Sequence, residues 1–210
     1  MTCVIVDYDS GNLHSAEKSF QRMAREVGGD VKVSADPADL WRASRIVLPG
    51  VGAFHDCKKG LEARPGLLEA LLRRVETGVP FLGICVGMQL MATSGDEHGI
   101  HTLGFGWIDG HVTKLAPGGD LKIPHMGWNA LEIDQPHPVL EGIASGDHAY
   151  FVHSYHMATE SLATRLAHVD YGQKVTAMVG KGNMVGVQFH PEKSQQTGLK
   201  LIGNFLRWTP

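Results

Sequence analysis

One cysteine lies in a setting that favours nucleophilic chemistry. Cys85 stands between Gly83 and Gly87, directly after the apolar run 79–82. This pattern predicts a buried strand, a sharp turn that holds the thiol at the carboxyl end of a sheet, and a helix through the apolar run 88–92. The glycines permit close approach of the backbone, and a helix N-terminus favours the thiolate form of cysteine. The sequence therefore indicates a candidate nucleophile, with a buried structural cysteine as the alternative.

A histidine and a glutamate near the end of the chain could complete the same chemistry. His190 and Glu192 follow the apolar run 184–189 and are two residues apart. Because side chains alternate along a strand, we expect both to point to the same face. A carboxylate beside an imidazole orients the ring and stabilises its protonated form. The pattern predicts a triad of Cys85, His190 and Glu192 drawn from two strand ends; a surface histidine beside a solvated glutamate is the alternative.

Two glycines around a valine provide candidate donors for an oxyanion. Gly50, Val51 and Gly52 follow the predicted strand 45–48 at its carboxyl end. Glycines there can aim backbone N–H groups into a cleft, and an oxyanion hole needs donors preset where negative charge develops. A turn that simply requires positive φ explains the same residues, so both interpretations stay open.

The elements that must position these residues follow a β-α-β order in the N-terminal part of the chain. Apolar, β-rich runs alternate there with amphipathic segments, which implies a parallel sheet with right-handed crossovers. Asp36 and Pro37 are expected to begin a short helix as its cap and its first-turn residue. The predicted strands are 2–6, 31–33, 45–48 and the run before Cys85, and the longer helices are 13–27 and 65–77.

Beyond Gly95 the pattern changes to strands without intervening helices, which predicts an antiparallel or mixed extension of the sheet. The expected strands are 103–115, 123–133, 149–157, 163–169 and 175–179, followed by a helix at 198–206. The sequence thus predicts an α/β fold with a central, mostly parallel sheet flanked by helices, a nucleophile elbow and a mixed strand extension in the C-terminal half. All of this is expected to form one domain over residues 1–210.

Composition disfavours several classes of protein. Of the 210 residues, 43% are hydrophobic and 20% charged, as in ordinary globular proteins. A net charge of −3 without a Lys/Arg cluster disfavours nucleic-acid binding. The start of the chain lacks a signal-peptide pattern, and no apolar run approaches the roughly 18 residues of a membrane span. Three cysteines without CxxC spacing, Cys3, Cys57 and Cys85, suit a reducing compartment, so we expect a cytoplasmic protein.

Two features of the second half, a tryptophan and a group of histidines, have competing interpretations. Trp128, in the segment 124–129, is either a core residue or an interface anchor. His148, His153 and His156 belong to a chain with twelve histidines, but none shows the spacing of a zinc site. We therefore expect no metal ion, and the sequence calls for no other cofactor.

Several of these segments together resemble the class I glutamine amidotransferases, over essentially the whole chain. The elbow and the segment 188–192 are widespread in that family. The segments 49–54 and 124–129 resemble, more narrowly, the HisH group, the glutaminase subunits of imidazole glycerol phosphate synthase. The segments that carry the resemblance are 7–12, 49–54, 83–89, 124–129, 153–155 and 188–192.

The resemblance implies hydrolysis of glutamine to glutamate and ammonia. Cys85 would attack the side-chain amide, His190 would protonate the departing ammonia and activate water, and Glu192 would orient His190. Family position further implies that the N–H groups of Val51 and Val86 bind the oxyanion. The residues expected to form the glutamine pocket by the same resemblance are Gly50, Gly52, Gln89, Glu97, Ser154 and Tyr155.

The resemblance also implies a partner subunit. Free ammonia is protonated in neutral water, and the HisH group passes it to a HisF-type (β/α)8-barrel cyclase subunit within a heterodimer that serves histidine biosynthesis. Asn12 and Trp128 would lie at that interface. We expect the N–H of Val51 to face away from the site in the resting enzyme, with Gly50 and Gly52 permitting its rotation.

Three other functions stay open on the sequence. The glutaminase of another amidotransferase, such as those for pyridoxal phosphate, anthranilate or guanylate synthesis, would share the triad. A free-standing thiol hydrolase or peptidase would share the elbow and act without a partner. A non-catalytic binding module would keep the fold, although the intact Cys85, His190 and Glu192 speak against it.

Overall fold

The structure of the protein, a computed structural model, describes residues 1–159 and 161–210. The α-helices of these residues are α1 (Leu13–Val27), α2 (Pro37–Arg42), α3 (Phe54–Glu62), α4 (Leu67–Glu76), α5 (Val86–Gln89) and α6 (Gln195–Arg207). The strands are β1 (Thr2–Val6), β2 (Asp30–Ser34), β3 (Arg45–Gly50), β4 (Phe81–Cys85), β5 (Ala92–Glu97), β6 (Ile100–Leu103), β7 (Ile108–Lys114), β8 (His125–Ala130), β9 (Glu132–Ile133), β10 (His148–His153), β11 (Tyr155–Thr159), β12 (Arg165–Asp170), β13 (Lys174–Lys181) and β14 (Met184–Val187).

An eight-stranded sheet forms the centre of the molecule, in the order β2-β1-β3-β4-β14-β13-β12-β9. The strands from β2 to β14 in this order pair in parallel, and the remaining ones pair antiparallel. β3 and β4 are buried along their whole length, as expected of largely apolar strands at the middle of a parallel sheet. Gly50 and Cys85 are register partners at the carboxyl ends of these strands. The candidate oxyanion segment and the candidate nucleophile therefore meet at one edge of the sheet.

Three helices of the first half, α1, α2 and α4, form where the sequence predicts them. α1 buries Ala16, Phe20 and Met23 on its apolar face and ends where Gly28 adopts a left-handed conformation with φ of 72°. In α2 the Asp36 carboxylate accepts a hydrogen bond from the N–H of Ala38 at 2.9 Å, which is the expected N-cap. α1 packs against α6, and α2 packs against α4.

The fold class is confirmed, but the strands of the second half are distributed differently from the expected single extension. Only β9, β12, β13 and β14 join the central sheet, whereas β8 pairs with β10 alone and β5, β6, β7 and β11 form a separate four-stranded sheet. The predicted strand 149–157 is in fact two strands, because the chain bends at Ser154. Its first part pairs with β8 and its second part with β7.

Two further differences lie close to the elbow. The helix after Cys85 is the single turn α5, and the chain then continues into β5, so the expectation of a helix through 88–92 was wrong. The carbonyl oxygens of Leu90 and Met91 explain this end, since they accept hydrogen bonds from Phe105 at 2.7 Å and from Ile108 at 2.9 Å instead of continuing the helix. α3 was not predicted, although Phe54, Cys57 and Leu61 recur at helical spacing and form its buried face.

The buried apolar side chains form one cluster that extends from Cys3 to Trp208. Within residues 1–159 and 161–210, no helix combines the length and the hydrophobicity needed to cross a bilayer.

Candidate active site

The turn at Cys85 is strained in the way that a nucleophile elbow requires. Cys85 ends β4 with φ of 54° and ψ of −112°, a conformation that is costly for a residue with a Cβ atom. The turn closes tightly: a Cβ at Gly83 would lie 2.6 Å from the carbonyl oxygen of Gly87, and a Cβ at Gly87 would collide with the carbonyl oxygen of Leu48. Both flanking glycines are thus required by close backbone contacts, and the thiol is held at the edge of the sheet.

His190 and Glu192 meet, although not in the way that strand alternation predicts. β14 ends at Val187, and Glu192 lies on a single 3-10 turn, Pro191–Lys193, that follows His190. The ring Nδ1 of His190 lies 2.9 Å from Oε1 of Glu192. Pro191 suits the start of this turn, since its fixed φ and missing N–H are tolerated at a first helical position. The expected pair therefore forms, but the expected strand at this point was wrong.

Backbone contacts hold the segment around His190 in place. The N–H of His190 donates to the carbonyl oxygen of Tyr150 at 3.0 Å, and the hydroxyl of Ser194 donates to the carbonyl oxygen of His190 at 2.7 Å. The same hydroxyl accepts from the N–H of Tyr150 at 2.9 Å. β10 thus fixes the position from which the imidazole reaches the elbow.

The surroundings of His190 favour its protonated form. Burial alone lowers the pKa of the ring, but hydrogen bonds with Cys85 and with Glu192, together with their negative charges, raise the pKa to about 9. The side chains of His190 and Glu192 are both only 3% exposed, so these interactions are poorly screened by water. The arrangement can therefore hold an imidazolium beside a thiolate and later release the proton to a leaving group.

A cavity of about 270 Å³ opens directly beside Cys85. Its lining includes most of the residues that the resemblance assigns to a glutamine pocket. Gly50 and Val51 do not line the cavity. The residues that line it are Gly52, Cys85, Val86, Gln89, Glu97, Pro124, Val152, His153, Ser154 and Tyr155.

Glu97 reaches this cavity from β5 and not from the end of a helix. Its side chain is 10% exposed, and Oε2 accepts a hydrogen bond from the N–H of Phe54 at 2.6 Å. The carboxylate therefore stabilises the N-terminus of α3 with one oxygen while it forms part of the cavity wall.

The backbone of Val51 is held by Ser10 in this conformation. The hydroxyl of Ser10 accepts a hydrogen bond from the N–H of Val51 at 3.1 Å and donates one to its carbonyl oxygen at 2.8 Å. Gly50 packs against the elbow so closely that a Cβ there would lie 2.8 Å from the nitrogen of Gly87. The N–H of Val51 is thus engaged by Ser10, and the predicted second oxyanion donor requires a rotation of this peptide.

The two residues expected at a partner interface differ in exposure. Trp128, on β8, is 48% exposed and packs edge-on against Tyr150 at 5.8 Å between ring centroids. Asn12 is half-buried at the N-terminus of α1, where its side chain makes no capping hydrogen bond. The alternative of a core tryptophan at 128 was therefore wrong.

A buried pair of histidines, His125 and His153, was not predicted, and His153 lines the cavity. His153 Nδ1 donates to the carbonyl oxygen of Tyr155 at 2.9 Å, and its Nε2 accepts from His125 Nδ1 at 3.0 Å. Burial lowers the pKa of His153 to about 3 and that of His125 to about 4, so both rings are neutral at pH 7. In the part of the chain that the structure describes, no group of three or more His, Cys, Asp or Glu residues is arranged to hold a metal ion.

Sequence reasoning also missed Gln188. It is fully buried, and its Nε2 lies 3.6 Å from Sγ of Cys85. The only signal available was its place in the apolar run 184–189, where a polar side chain needs a buried hydrogen-bond partner.

Comparison with known proteins decides the family. The family model described as glutamine amidotransferase class-I matches residues 4–208. The chain belongs to this family. Curated relatives of this amidotransferase named "Imidazole glycerol phosphate synthase subunit HisH" include those of Cereibacter sphaeroides, Ruegeria pomeroyi and Rhodopseudomonas palustris, which are 62%, 59% and 56% identical. Each alignment covers 100% of this chain and 100% of the relative.

Solved structures share the fold of this class I glutamine amidotransferase. One, described as a glutamine amidotransferase, has a TM-score of 0.72 at 20% identity and covers 97% of both chains. Another, a glutamine amidotransferase from Thermotoga maritima, has a TM-score of 0.62 at 18% identity and covers 99% of this chain and 83% of that one. At such identities the likeness concerns the fold alone.

Proposed function

We propose that this amidotransferase is the glutaminase subunit of imidazole glycerol phosphate synthase. The observation that carries the proposal is the identity of 62% with a HisH subunit over the full length of both chains. Cys85 lines the cavity, and His190 interacts with both Cys85 and Glu192, which supports the glutaminase activity itself. No contact in the cavity favours one of the other amidotransferases considered from the sequence.

The reaction begins with attack of the Cys85 thiolate on the side-chain amide carbon of glutamine. The C–S bond forms as the carbonyl becomes an oxyanion, and protonated His190 then gives its proton to the nitrogen, which leaves as ammonia. A water molecule next gives a proton to the now neutral His190 and attacks the γ-glutamyl thioester. Glutamate leaves and the thiolate–imidazolium pair is restored. Glu192 keeps the ring oriented and stabilises each protonated state, at 2.9 Å from Nδ1.

The oxyanion is bound by the N–H groups of Val86 and Val51 in this proposal. Val86 follows Cys85 directly and lines the cavity. Val51 contributes only after its peptide leaves Ser10 and turns toward Cys85, because its N–H donates to the hydroxyl in the present conformation. One such donor is typically worth about 10²–10³ in rate, so the rotation would switch the enzyme between slow and fast states.

The remaining residues of the cavity bind the amino-acid part of glutamine. Nε2 of Gln89 donates hydrogen bonds to the carbonyl oxygen of Tyr155 at 3.0 Å and to Oε1 of Gln188 at 3.0 Å. Its own Oε1 is thereby left to accept from the substrate ammonium. Glu97 adds negative charge to the same wall, while Gly52 and Ser154 complete it.

The ammonia passes to a second subunit. The names of the relatives describe a subunit of a synthase, which supports an assembly of unlike chains. We assign the partner as a HisF-type (β/α)8-barrel cyclase. Trp128 and Met126, exposed by 48% and 62% on β8 beside the cavity, are suited to anchor it together with Asn12.

The experiment is co-purification with the barrel synthase, followed by turnover of its nucleotide substrate with glutamine or with an ammonium salt. We expect the wild-type complex to use both nitrogen sources. Cys85→Ala should abolish turnover with glutamine and retain turnover with ammonium. Absence of a complex would reject the assigned partner, and loss of both activities in Cys85→Ala would show that this residue is structural.

A further inference from the structure

A buried side-chain amide contacts the sulfur of the candidate nucleophile. Gln188 follows β14, is 0% exposed, and places Nε2 at 3.6 Å from Sγ of Cys85. This separation suits a hydrogen bond to an acceptor as large as sulfur. Its backbone is fixed as well, because the N–H of Gln188 donates to the carbonyl oxygen of Ala177 at 2.9 Å.

The orientation of this amide is determined by a contact with a backbone carbonyl. Nε2 of Gln89 lies 3.0 Å from the carbonyl oxygen of Tyr155, which can only accept, so the atom at that position must be the nitrogen. The same nitrogen lies 3.0 Å from the amide of Gln188, which must therefore present its oxygen there. The amide nitrogen of Gln188 is left facing Cys85.

We propose that Gln188 is a thiolate-stabilising donor of the glutaminase site, oriented by Gln89. A hydrogen bond to an ionised acceptor is roughly twice as strong as one between neutral groups, so this contact favours the thiolate of Cys85 over the thiol. The inference rests on the proposed function only in taking Cys85 as the nucleophile.

The chemistry of an amide suits this position. A lysine or arginine would have to be buried with its charge, whereas the amide donates without one. The amide also does not titrate, so it acts equally at every pH. Its support adds to that of His190, which approaches the same sulfur from the same segment of the chain.

Other ionisable groups near the sulfur also affect the protonation of Cys85. His190 and Glu192 form the triad pair, and the Tyr8 hydroxyl and the Cys57 thiol lie near enough to interact electrostatically with Cys85. Glu97 and His153 line the cavity itself. A substitution at 188 leaves all of these in place, so each variant is compared with wild type at every pH.

The test is the rate at which iodoacetamide modifies Cys85 as a function of pH, followed by mass spectrometry of the peptide that contains this residue. Gln188→Leu removes the donor at similar volume. We expect the midpoint of its pH profile to rise by about 1, with a rate below the midpoint roughly tenfold lower and an unchanged plateau at high pH. Gln188→Glu should shift the midpoint further, since a carboxylate then faces the sulfur.

Gln196→Leu, at an exposed position on α6, is the matched control and should match wild type. An unshifted midpoint in a folded Gln188→Leu protein would overturn the proposal, as would a lowered plateau alone, which indicates altered access to the sulfur.

If Gln188→Leu does not fold, the variant Gln89→Leu tests the proposal instead. It frees the Gln188 amide to rotate and should raise the midpoint by a smaller amount, and an unshifted midpoint would reject the proposal. Because alkylation needs neither glutamine nor a partner, its result is independent of the proposed function.

Discussion

The hydroxyl oxygen of Ser10 lies 3.1 Å from the backbone nitrogen of Val51 and 2.8 Å from the carbonyl oxygen of the same residue. One side chain thus satisfies both backbone polar groups of Val51, the residue proposed as the second oxyanion donor. Cys57 adds a contact from its sulfur to the same carbonyl oxygen at 3.3 Å. This conformation is therefore stabilised by specific hydrogen bonds, which the proposed rotation of the peptide toward Cys85 would have to break.

Removing the Ser10 hydroxyl should activate the isolated subunit. In Ser10→Ala the N–H of Val51 loses its acceptor, so the rotated peptide becomes more populated. We expect glutamate release without the partner to rise roughly 2- to 10-fold, the equivalent of one net hydrogen bond. The rate is measured with saturating glutamine and no synthase subunit.

Ser44→Ala is the matched control for this change. The Ser44 hydroxyl also accepts from a backbone N–H, that of Thr2 at 3.2 Å, but its partner Thr2 begins β1 and is not part of the cavity wall. Ser44→Ala should therefore leave the basal rate unchanged. A Ser10→Ala rate no higher than that of Ser44→Ala would mean that Ser10 does not restrain the peptide.

Protonation of His190 should make part of the stability depend on pH. The pKa of this ring is raised to about 9 in the folded protein from an ordinary value of 6.5. Its contribution to the free energy of unfolding is therefore fully present below pH 6.5 and is lost as the pH rises through about 9. Glu192→Gln removes the charge that supports the imidazolium while keeping an oxygen near Nδ1.

We expect Glu192→Gln to lower the melting temperature more at about pH 6 than at about pH 10, because the missing ion pair exists only when His190 is charged. Thermal unfolding followed by circular dichroism measures the difference. Glu132→Gln, an exposed change on β9, serves as the comparison and should show no such pH dependence. An equal effect of Glu192→Gln at both pH values would contradict a charged His190 in the resting protein.

The sequence predicted which residues form the candidate site better than it predicted the secondary structure that brings them together. Gly50 and Cys85 end neighbouring parallel strands, so their meeting follows from topology alone. His190 and Glu192 were expected to share a strand face, yet Pro191 bends the chain into a 3-10 turn and joins them through local geometry. Spacing of two residues brings the side chains together in both conformations, so the contact between His190 and Glu192 could be predicted without the correct backbone.

Other features depend on contacts that no local pattern encodes. The bend at Ser154, which splits one apolar run between two sheets, occurs without glycine or proline at that point. α5 does not continue beyond Gln89, because the carbonyls of Leu90 and Met91 accept hydrogen bonds from the distant N–H groups of Phe105 and Ile108. The proposed role of Gln188 was not predicted, because it depends on contacts with Gln89 and Tyr155, which are both remote in sequence.

Glu97 should affect binding of glutamine more than the chemical step. Its side chain lines the cavity at 10% exposure, so a loss of its charge weakens attraction for the substrate ammonium. Glu97→Gln keeps an oxygen for the N–H of Phe54, which protects α3. We expect KM for glutamine to rise roughly tenfold with little change in kcat, as for a hydrogen bond to a charged group.

Asp96→Asn provides a control on the same strand. Asp96 is 57% exposed and pairs with His101 and His111, on the face of β5 that points away from the cavity. Steady-state glutamine hydrolysis by the assembled complex gives both constants. If the two variants had the same KM, the charge at 97 would have no part in recognising the substrate.

Trp128 should carry a large share of the affinity for the synthase subunit. It is 48% exposed on β8, with its ring held edge-on against Tyr150, so little side-chain freedom is lost when a partner covers it. We expect Trp128→Ala to weaken the complex by roughly 30-fold or more, the effect of a tryptophan hot spot. Titration calorimetry with the purified barrel subunit measures the Kd.

Trp41→Ala separates this effect from the general loss of an exposed indole. Trp41 is 50% exposed, almost the same as Trp128, but it lies on α2, which packs against α4 and contributes nothing to the cavity wall. The Kd of Trp41→Ala should equal that of wild type. Modification of Cys85 by iodoacetamide should be unchanged in both variants, because neither indole contacts the elbow. Equal Kd values for the two variants would place the interface elsewhere on the molecule.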